Sequence, residues 1–333
     1  MIDKCISGVD GTHCERFESL LMHMTIFIWI IIFIISLIAL SKSSDWLIDS
    51  SEKIGLKIGL SPFIIGVTIV AFGTSLPELV AGLVAVTQGV TDVVTGNAIG
   101  SNIANILLVV GISAIVGKSL RVTKNLIDLD LPLLAISTAI FFMMALDGVV
   151  TLGESILLLA TYMIYLFYTL KYDEKIGDVA EKNPKITTFD IIKLVVGIVG
   201  LALGAKFLVD AIINLSAIFS IGTGVIAVTA VALGTSLPEL IVSVKAVLKG
   251  KAEVALGNIF GSNIFNVLVV VGLPGIFATL EIDPVTLSLG IPVLLLSTIL
   301  FVISGISKRI HAQEGWLYLM LYVIFTLKLF GLF

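Results

Sequence analysis

Charged residues are scarce in this chain of 333 residues: 13% are Asp, Glu, Lys or Arg, whereas 58% are hydrophobic. A soluble domain carries about 25% charged residues, so this chain cannot cover a globule of its size with polar surface. The mean hydropathy of +1.14 agrees with an integral membrane protein. Its apolar runs are continuous and do not alternate every second residue, which indicates helices rather than an outer-membrane barrel.

Histidine and cysteine are also rare, with 3 and 2 copies. Cys5 and Cys14 precede the first apolar run, where they either form a disulfide or stay unpaired. With no histidine or cysteine beside the polar motifs described below, zinc, copper and iron–sulfur sites are disfavoured. No basic arm or stacking platform suggests a nucleic-acid partner. The sequence also lacks a His/Asp catalytic constellation and the zinc motif His-Glu-x-x-His, so we do not expect an enzyme.

Windows of about 20 apolar residues predict an all-α membrane protein with ten transmembrane helices. They cover residues 24–48, 58–87, 93–117, 126–146, 151–171, 188–216, 222–248, 252–277, 285–306 and 315–332. The polar linker 172–187 divides them into two sets of five, within residues 24–171 and 188–333. Residues 1–23 hold no apolar run and are expected to be a disordered tail outside the membrane or an upstream extension, since Met22 and Met24 could each start translation.

Basic residues are distributed unequally between alternate loops. Most of the 20 Lys and Arg residues lie in one set, which includes the linker 172–187. The opposite loops, near residues 88–92, 147–150, 217–221 and 278–284, hold none. Lys and Arg are concentrated in cytoplasmic loops. We therefore predict a multi-pass plasma-membrane protein with both termini outside and the linker in the cytoplasm.

A polar motif occurs twice inside apolar sequence. The segment Ala71–Leu79 (AFGTSLPEL) recurs 161 residues later as Ala232–Leu240 (ALGTSLPEL). At the same offset, the segment Gly96–Asn105 resembles Gly257–Asn266. The two copies lie on predicted helices 2 and 7, which are five helices apart and so run in opposite directions. The chain is therefore predicted to be an inverted repeat, with a binding site near the midplane where the copies meet.

The repeat also reaches predicted helices 1 and 6. Its register aligns Asp49 with Asp210 and Asp45 with Lys206. Helix 1 is therefore expected to be part of the fold and not a cleaved leader. We interpret these four charges as structural; Lys206 and Asp210 are four residues apart and able to pair along helix 6.

Each copy of the motif supplies hard oxygen ligands. Pro77 has no N–H, so the Gly73 carbonyl loses its helical partner and the preceding turn is expected to open. Irregular backbone in a membrane is tolerated only against protein or a water-filled cavity. The side chains that add oxygens are those of Thr74, Ser75 and Glu78 in the first copy and of Thr235, Ser236 and Glu239 in the second.

The neighbouring helices 3 and 8 add hydroxyl and amide groups. Ser101 and Asn105 are four residues apart and share one helix face, as do Ser262 and Asn266. The glycine spacings Gly96-x-x-x-Gly100 and Gly257-x-x-x-Gly261 are typical of helices that approach closely. Helix packing accounts for the glycines but not for the amides and glutamates, which are costly in hydrocarbon unless paired.

The charges of Glu78 and Glu239 require compensation, because neither motif contains a lysine or arginine. Two glutamates brought together need a divalent cation, several monovalent cations or protons. Calcium takes six to eight oxygens in flexible geometry, whereas magnesium keeps its waters and prefers a stricter octahedron. The simplest alternative is two protonated glutamates that only hydrogen-bond within the bundle.

These motifs resemble those of the cation/calcium exchanger superfamily, most closely its prokaryotic (archaeal-type) sodium/calcium exchanger branch. The likeness covers nearly all of residues 24–333. It implies a secondary active Na⁺/Ca²⁺ antiporter with no organic cofactor, in which sodium entry drives calcium out by alternating access. Helices 1 and 6 would slide to switch that access.

The resemblance also implies which residues bind the transported ions. Calcium would lie between Glu78 and Glu239, helped by backbone oxygens at Thr74 and Thr235. Sodium would lie around it, at Ala71, Ser75 and Ser101 on one side and at Ala232, Ser236 and Ser262 on the other.

Two other functions remain open. Proton/calcium members of the superfamily share the paired glutamates, so an H⁺/Ca²⁺ antiporter is the first alternative. A cation channel with the same ligands is the second, although an inverted repeat favours a transporter. Asn266 stands where the potassium-dependent branch carries an aspartate, which argues against potassium dependence. We expect a monomer in the lipid bilayer, with Ca²⁺ and Na⁺ as its partners.

Overall fold

A computed structural model of the chain describes residues 11–121, 130–171, 185–218, 234 and 236–331, with only the backbone at residues 11–22, 216 and 217. These residues contain ten long helical segments, interrupted in places by π or 3₁₀ turns. The helices are α1 (Gly11–Lys57), α2 (Pro62–Thr87), α3 (Asp92–Val116), α4 (Leu131–Ala145), α5 (Leu152–Lys171), α6 (Thr188–Ile218), α7 (Leu237–Leu248), α8 (Ala252–Ile276), α9 (Thr286–Ile306) and α10 (Ala312–Leu329). Within the described ranges, 7 helices are long and apolar enough to cross a membrane.

The predicted all-helical membrane fold is confirmed, because each of the ten predicted spans overlaps one of these helices. The expected disordered tail is wrong for residues 11–23, which belong to α1. No proline separates them from the apolar run, and extending an existing helix costs far less than nucleating a new one. Residues 1–10, with Cys5, and most of residues 222–235 lie outside the described part of the chain.

The proline in α2 does not open the helix as predicted. Helical backbone continues through Pro77 from Ala71 to Thr87. The irregular turn lies further upstream, as a π-helical segment at Gly66–Val70. A local π turn is one way in which a membrane helix adjusts to a proline. The copy in α7 is different, because Pro238 lies in the first turn of that helix, where its missing N–H has no intrahelical partner to lose.

Two short antiparallel strand pairs, which the sequence did not predict, connect loops from opposite halves of the chain. Strand β1 (Ser119–Arg121) pairs with β4 (Arg309–His311), and β2 (Val149–Val150) pairs with β3 (Leu280–Glu281). Leu120 lies opposite Ile310, and Val150 lies opposite Leu280, and all four residues are buried. Leu120 and Leu280 are 160 positions apart in the sequence, and so are Val150 and Ile310. Each strand of the first pair therefore has its counterpart in the second pair. This exchange of equivalent strands is the arrangement that an inverted repeat predicts.

Helix α8 lies at the centre of the molecule and is buried along its span. Its glycines allow α2 to approach closely. A Cβ added at Gly257 would collide with the carbonyl oxygen of Phe63, and a Cβ added at Gly261 would lie 2.6 Å from the Cβ of Ala71. The predicted close packing at these two glycines is confirmed. Gly96 and Gly100 are the equivalents of these two glycines in the first half. The segment equivalent to their α2 partners is 224–232, which lies outside the described ranges.

Helices α1 and α6 lie at the periphery and pack mainly against each other. Gly197 and Gly204 of α6 leave room for the backbone of α1 near Leu47 and Leu40. The predicted pairing of Lys206 with Asp210 is absent from the ion pairs of the described residues; Lys206 lies over the ring of Phe207 instead.

At one end of α1, acidic side chains form ion pairs with lysines of α7 and of the turn that follows it. Asp45 pairs with Lys245 and Lys249, at 2.7 and 3.1 Å. Asp49 pairs with Lys249 and Lys251, at 2.9 and 3.1 Å. Glu52 pairs with Lys251 at 2.7 Å. This cluster, which we name the α1–α7 ion cluster, attaches the peripheral helix pair to the rest of the protein.

Candidate cation site

The two copies of the repeated motif meet in the interior. Glu78 on α2 and Glu239 on α7 are both 0% exposed. Ser75 of the first copy donates a hydrogen bond of 3.0 Å to Oε1 of Glu239 in the second. The inverted repeat thus brings the two motifs into direct contact.

Thr74 connects α2 to α8. Its hydroxyl donates to Oδ1 of Asn258 at 3.0 Å and lies 3.4 Å from Oγ of Ser262. It also lies 3.2 Å from the carbonyl oxygen of Ala71. Ala71, Thr74 and Ser262 are therefore neighbours, which brings three of the residues named in the sequence analysis together in one buried cluster.

Several buried oxygens of the site have no hydrogen-bond partner among the described residues. They include both carboxylate oxygens of Glu78, Oε2 of Glu239, Oγ of Ser236 and Oδ1 of Asn105 and Asn266. Buried polar groups are normally hydrogen-bonded. A buried carboxylate is especially costly when it is left unpaired. This set of unsatisfied acceptors is the chemistry that a hard cation satisfies.

The surroundings of the two carboxylates supply no protein cation within the described part of the chain. None of its ion pairs involves Glu78 or Glu239. Nor do the described residues contain a group of three or more His, Cys, Asp or Glu side chains that could hold a metal ion. Any bound cation would therefore take most of its ligands from hydroxyl, amide and backbone oxygens.

The remaining residues named from the sequence fall into two groups. Ser101, Asn105, Ser262 and Asn266 are buried on α3 and α8, on the helix faces that the spacing of four predicted. Asn105 and Asn266 each begin a π-helical turn, which ends the regular α-helix at that residue. Ala232 and Thr235 lie outside the described residues.

Sequence reasoning missed Asn258 and Ser243 as neighbours of the site. Asn258 accepts from Thr74 and donates through Nδ2 to Oγ of Ser243 at 3.0 Å. One signal was available: Asn258 lies four residues before Ser262, and therefore on the same face of α8. Ser243 had no such signal, since its contact with α8 depends on how the helices pack.

Comparison with known proteins gives a consistent assignment. The family model described as sodium/calcium exchanger protein matches residues 28–171 and again residues 189–331. The sodium/calcium exchanger MaX1 of Methanosarcina acetivorans is 31% identical over 344 residues, covering 90% of this chain and 98% of the relative. The inner membrane protein YrbG of Escherichia coli is 33% identical over 279 residues, covering 80% of this chain and 86% of the relative.

The fold also matches solved structures. The sodium-calcium exchanger NCX_Mj, soaked with 10 mM Na⁺ and without Ca²⁺, superposes with a TM-score of 0.79 at 33% identity. The match covers 90% of this chain and 98% of that chain. On the family match over both halves and this agreement in sequence and fold, the chain belongs to the sodium/calcium exchanger protein family.

Proposed function

We propose that the chain is a secondary active Na⁺/Ca²⁺ antiporter that extrudes Ca²⁺ by alternating access at a site formed by Glu78 and Glu239. The observation that carries the proposal is the set of buried carboxylate oxygens without partners in the described residues, contributed by two antiparallel copies of one motif. Family membership and the sodium/calcium exchangers among the relatives support the same exchange.

The charge of the site suits exchange between these ions. Two ionised glutamates carry a charge of about −2, which one Ca²⁺ or several Na⁺ would neutralise in the buried site. Calcium would lie between Glu78 and Glu239, with backbone oxygens of Thr74 and Thr235 completing its coordination. Sodium would use Ala71, Ser75 and Ser101 on one side and Ala232, Ser236 and Ser262 on the other. Asn105 and Asn266 would contribute amide oxygens.

The membrane arrangement completes the proposal. The two halves, residues 24–171 and 188–333, would span the plasma membrane as a monomer with the linker 172–187 in the cytoplasm and both termini outside. The pairing of β1 with β4 supports this orientation, because it joins two loops that are both rich in Lys and Arg. The opposite pair, β2 with β3, joins two loops that have neither.

Ion replacement in proteoliposomes tests the proposal. Vesicles loaded with Na⁺ and diluted into Na⁺-free buffer should take up Ca²⁺, and vesicles loaded with K⁺ or Li⁺ should not. Collapsing the Na⁺ gradient with an ionophore should stop the uptake, and Glu78→Gln should remove it.

The same assay distinguishes the alternatives. The H⁺/Ca²⁺ alternative is tested by imposing a pH gradient in place of the Na⁺ gradient. Two buried carboxylates without a protein cation in the described residues would also bind protons. Uptake that follows only a pH gradient would establish proton exchange and refute sodium coupling. Calcium flux that needs no counter-ion would point to a channel.

A further inference from the structure

A buried chain of hydrogen bonds connects three helices behind the candidate site. It runs from Thr74 on α2 to Asn258 on α8 and on to Ser243 on α7, with both bonds at 3.0 Å. All three side chains are 0% exposed. Asn258 uses both ends of its amide, accepting with Oδ1 and donating with Nδ2. Its orientation is therefore fixed from two sides, and Thr74 is held by a side chain that cannot rotate freely.

The inverted repeat does not reproduce this chain in the other half. At the offset of 161 that relates the motifs, Asn258 corresponds to Asn97 and Ser243 corresponds to Gly82. Glycine has no hydroxyl to accept a hydrogen bond. Consistent with this, Nδ2 of Asn97 is buried and has no partner in the described ranges. The repeat keeps the asparagine in both halves but supplies the serine in only one.

We propose that Asn258, held by Ser243, is a positioning residue that fixes Thr74 for ion binding, and that Asn97 lacks this support because Gly82 stands at the position equivalent to Ser243. This inference rests on the proposed function, which puts Thr74 at the transported Ca²⁺. A ligand whose position is fixed beforehand loses little conformational freedom when the ion binds, so its affinity is higher. The two halves of the site are then unequal: the half that contains Thr74 is preorganised by a neighbouring helix through Ser243.

The asymmetry gives the experiment its matched control. Asn258→Ala and Asn97→Ala remove the same amide from repeat-related positions, but only the amide of Asn258 is held by a serine of a neighbouring helix. Calcium uptake driven by a Na⁺ gradient should show an apparent KM for Ca²⁺ that rises about tenfold in Asn258→Ala, the change expected for a lost buried hydrogen bond. The maximal rate should stay within about twofold. Asn97→Ala should raise the KM clearly less, because no serine holds its amide.

A milder variant covers the case in which Asn258→Ala does not fold. Ser243→Ala removes one hydroxyl and leaves Asn258 free to turn, so the apparent KM for Ca²⁺ should rise by about threefold at an unchanged maximal rate. Thermal unfolding of each purified variant identifies those that are folded. A folded Ser243→Ala with the KM of the wild type overturns the inference, as does an equal rise in KM for Asn97→Ala and Asn258→Ala. Absence of Na⁺-driven uptake in the wild type would overturn the proposed function instead.

Discussion

Oγ of Ser75 donates a hydrogen bond of 3.0 Å to Oε1 of Glu239 and so joins the two halves of the inverted repeat. The repeat-related pair does not do the same: within the described residues, Oγ of Ser236 and both carboxylate oxygens of Glu78 have no partner. One carboxylate of the pair is therefore held by the opposite motif, while the other receives no such bond from the described part of the chain.

Replacing Ser75 tests this asymmetry without any transport assay. Ser75→Ala removes a hydrogen bond to the buried carboxylate of Glu239, so the ion-free protein should lose about 1–3 kcal/mol of unfolding free energy. The measurement is thermal unfolding in detergent with Na⁺ and Ca²⁺ removed. Ser236→Ala is the matched control and should cost less, because its hydroxyl has no partner among the described residues. Equal losses in the two variants would contradict the asymmetry.

Neutralising either glutamate should abolish Ca²⁺ transport. Glu78→Gln or Glu239→Gln keeps the shape of the side chain but leaves a single carboxylate, which compensates only half the charge of Ca²⁺. Uptake into Na⁺-loaded proteoliposomes should fall to the level of empty vesicles. Glu253→Gln is the control, because this glutamate lies in the first turn of α8, outside the site, and its loss should leave transport intact. Wild-type uptake in either site variant would refute the site assignment.

Calcium should stabilise the folded protein through the same two residues. A ligand at about 100 times its dissociation constant adds about 2.7 kcal/mol to the unfolding free energy. The wild type should therefore unfold at a higher temperature with Ca²⁺ than after chelation, and Mg²⁺ should act more weakly because it keeps its waters. Glu78→Gln should lose most of this shift. An equal shift in that variant would mean that Ca²⁺ binds elsewhere.

Local sequence was sufficient to predict the helices and the meeting of the two motifs. Apolar runs long enough to cross a bilayer specify helices with few alternatives, because backbone polar groups in lipid must be satisfied within the segment. The repeated motif predicted that Ser75 and Glu239 come from antiparallel helices, and the two side chains are in contact. Their roles in ion binding remain predictions.

The features that sequence did not predict depend on contacts between distant segments. Ser243 is an ordinary helix residue until α8 places Asn258 beside it. The pairing of Leu120 with Ile310 joins loops far apart in the chain, and neither strand is long enough to have a recognisable pattern. The opening predicted at Pro77 was wrong, because sequence shows the hydrogen bond that a proline removes but not the packing around that turn.

Adding one methyl group to the α2–α8 contact should be severely destabilising. A Cβ at Gly257 would collide with the carbonyl oxygen of Phe63, which is backbone and cannot rotate away. Gly257→Ala should therefore cost about 3 kcal/mol or more, since the two helices must separate. A Cβ at Gly153, in α5, meets no described atom within 4 Å, so Gly153→Ala should change stability by no more than about 1 kcal/mol. Thermal unfolding of both variants measures the difference, and a tolerated Gly257→Ala would contradict this contact.

The α1–α7 ion cluster should make the attachment of α1 sensitive to salt. Partly exposed ion pairs are individually worth about 0–1 kcal/mol and are screened by salt. Lys249 contributes to two of them, with Asp45 and Asp49. Lys249→Met should therefore lower the unfolding temperature in about 0.05 M choline chloride and have a smaller effect in about 0.5 M, where screening has already weakened the wild-type cluster.

Lys42→Met removes an exposed lysine of α1 that lies outside the cluster, and should have little effect at either concentration. Choline replaces Na⁺ so that ion binding at Glu78 and Glu239 does not confound the comparison. An equal loss at both salt concentrations would mean that the aliphatic part of Lys249 stabilises the contact through packing, and that the charges contribute little.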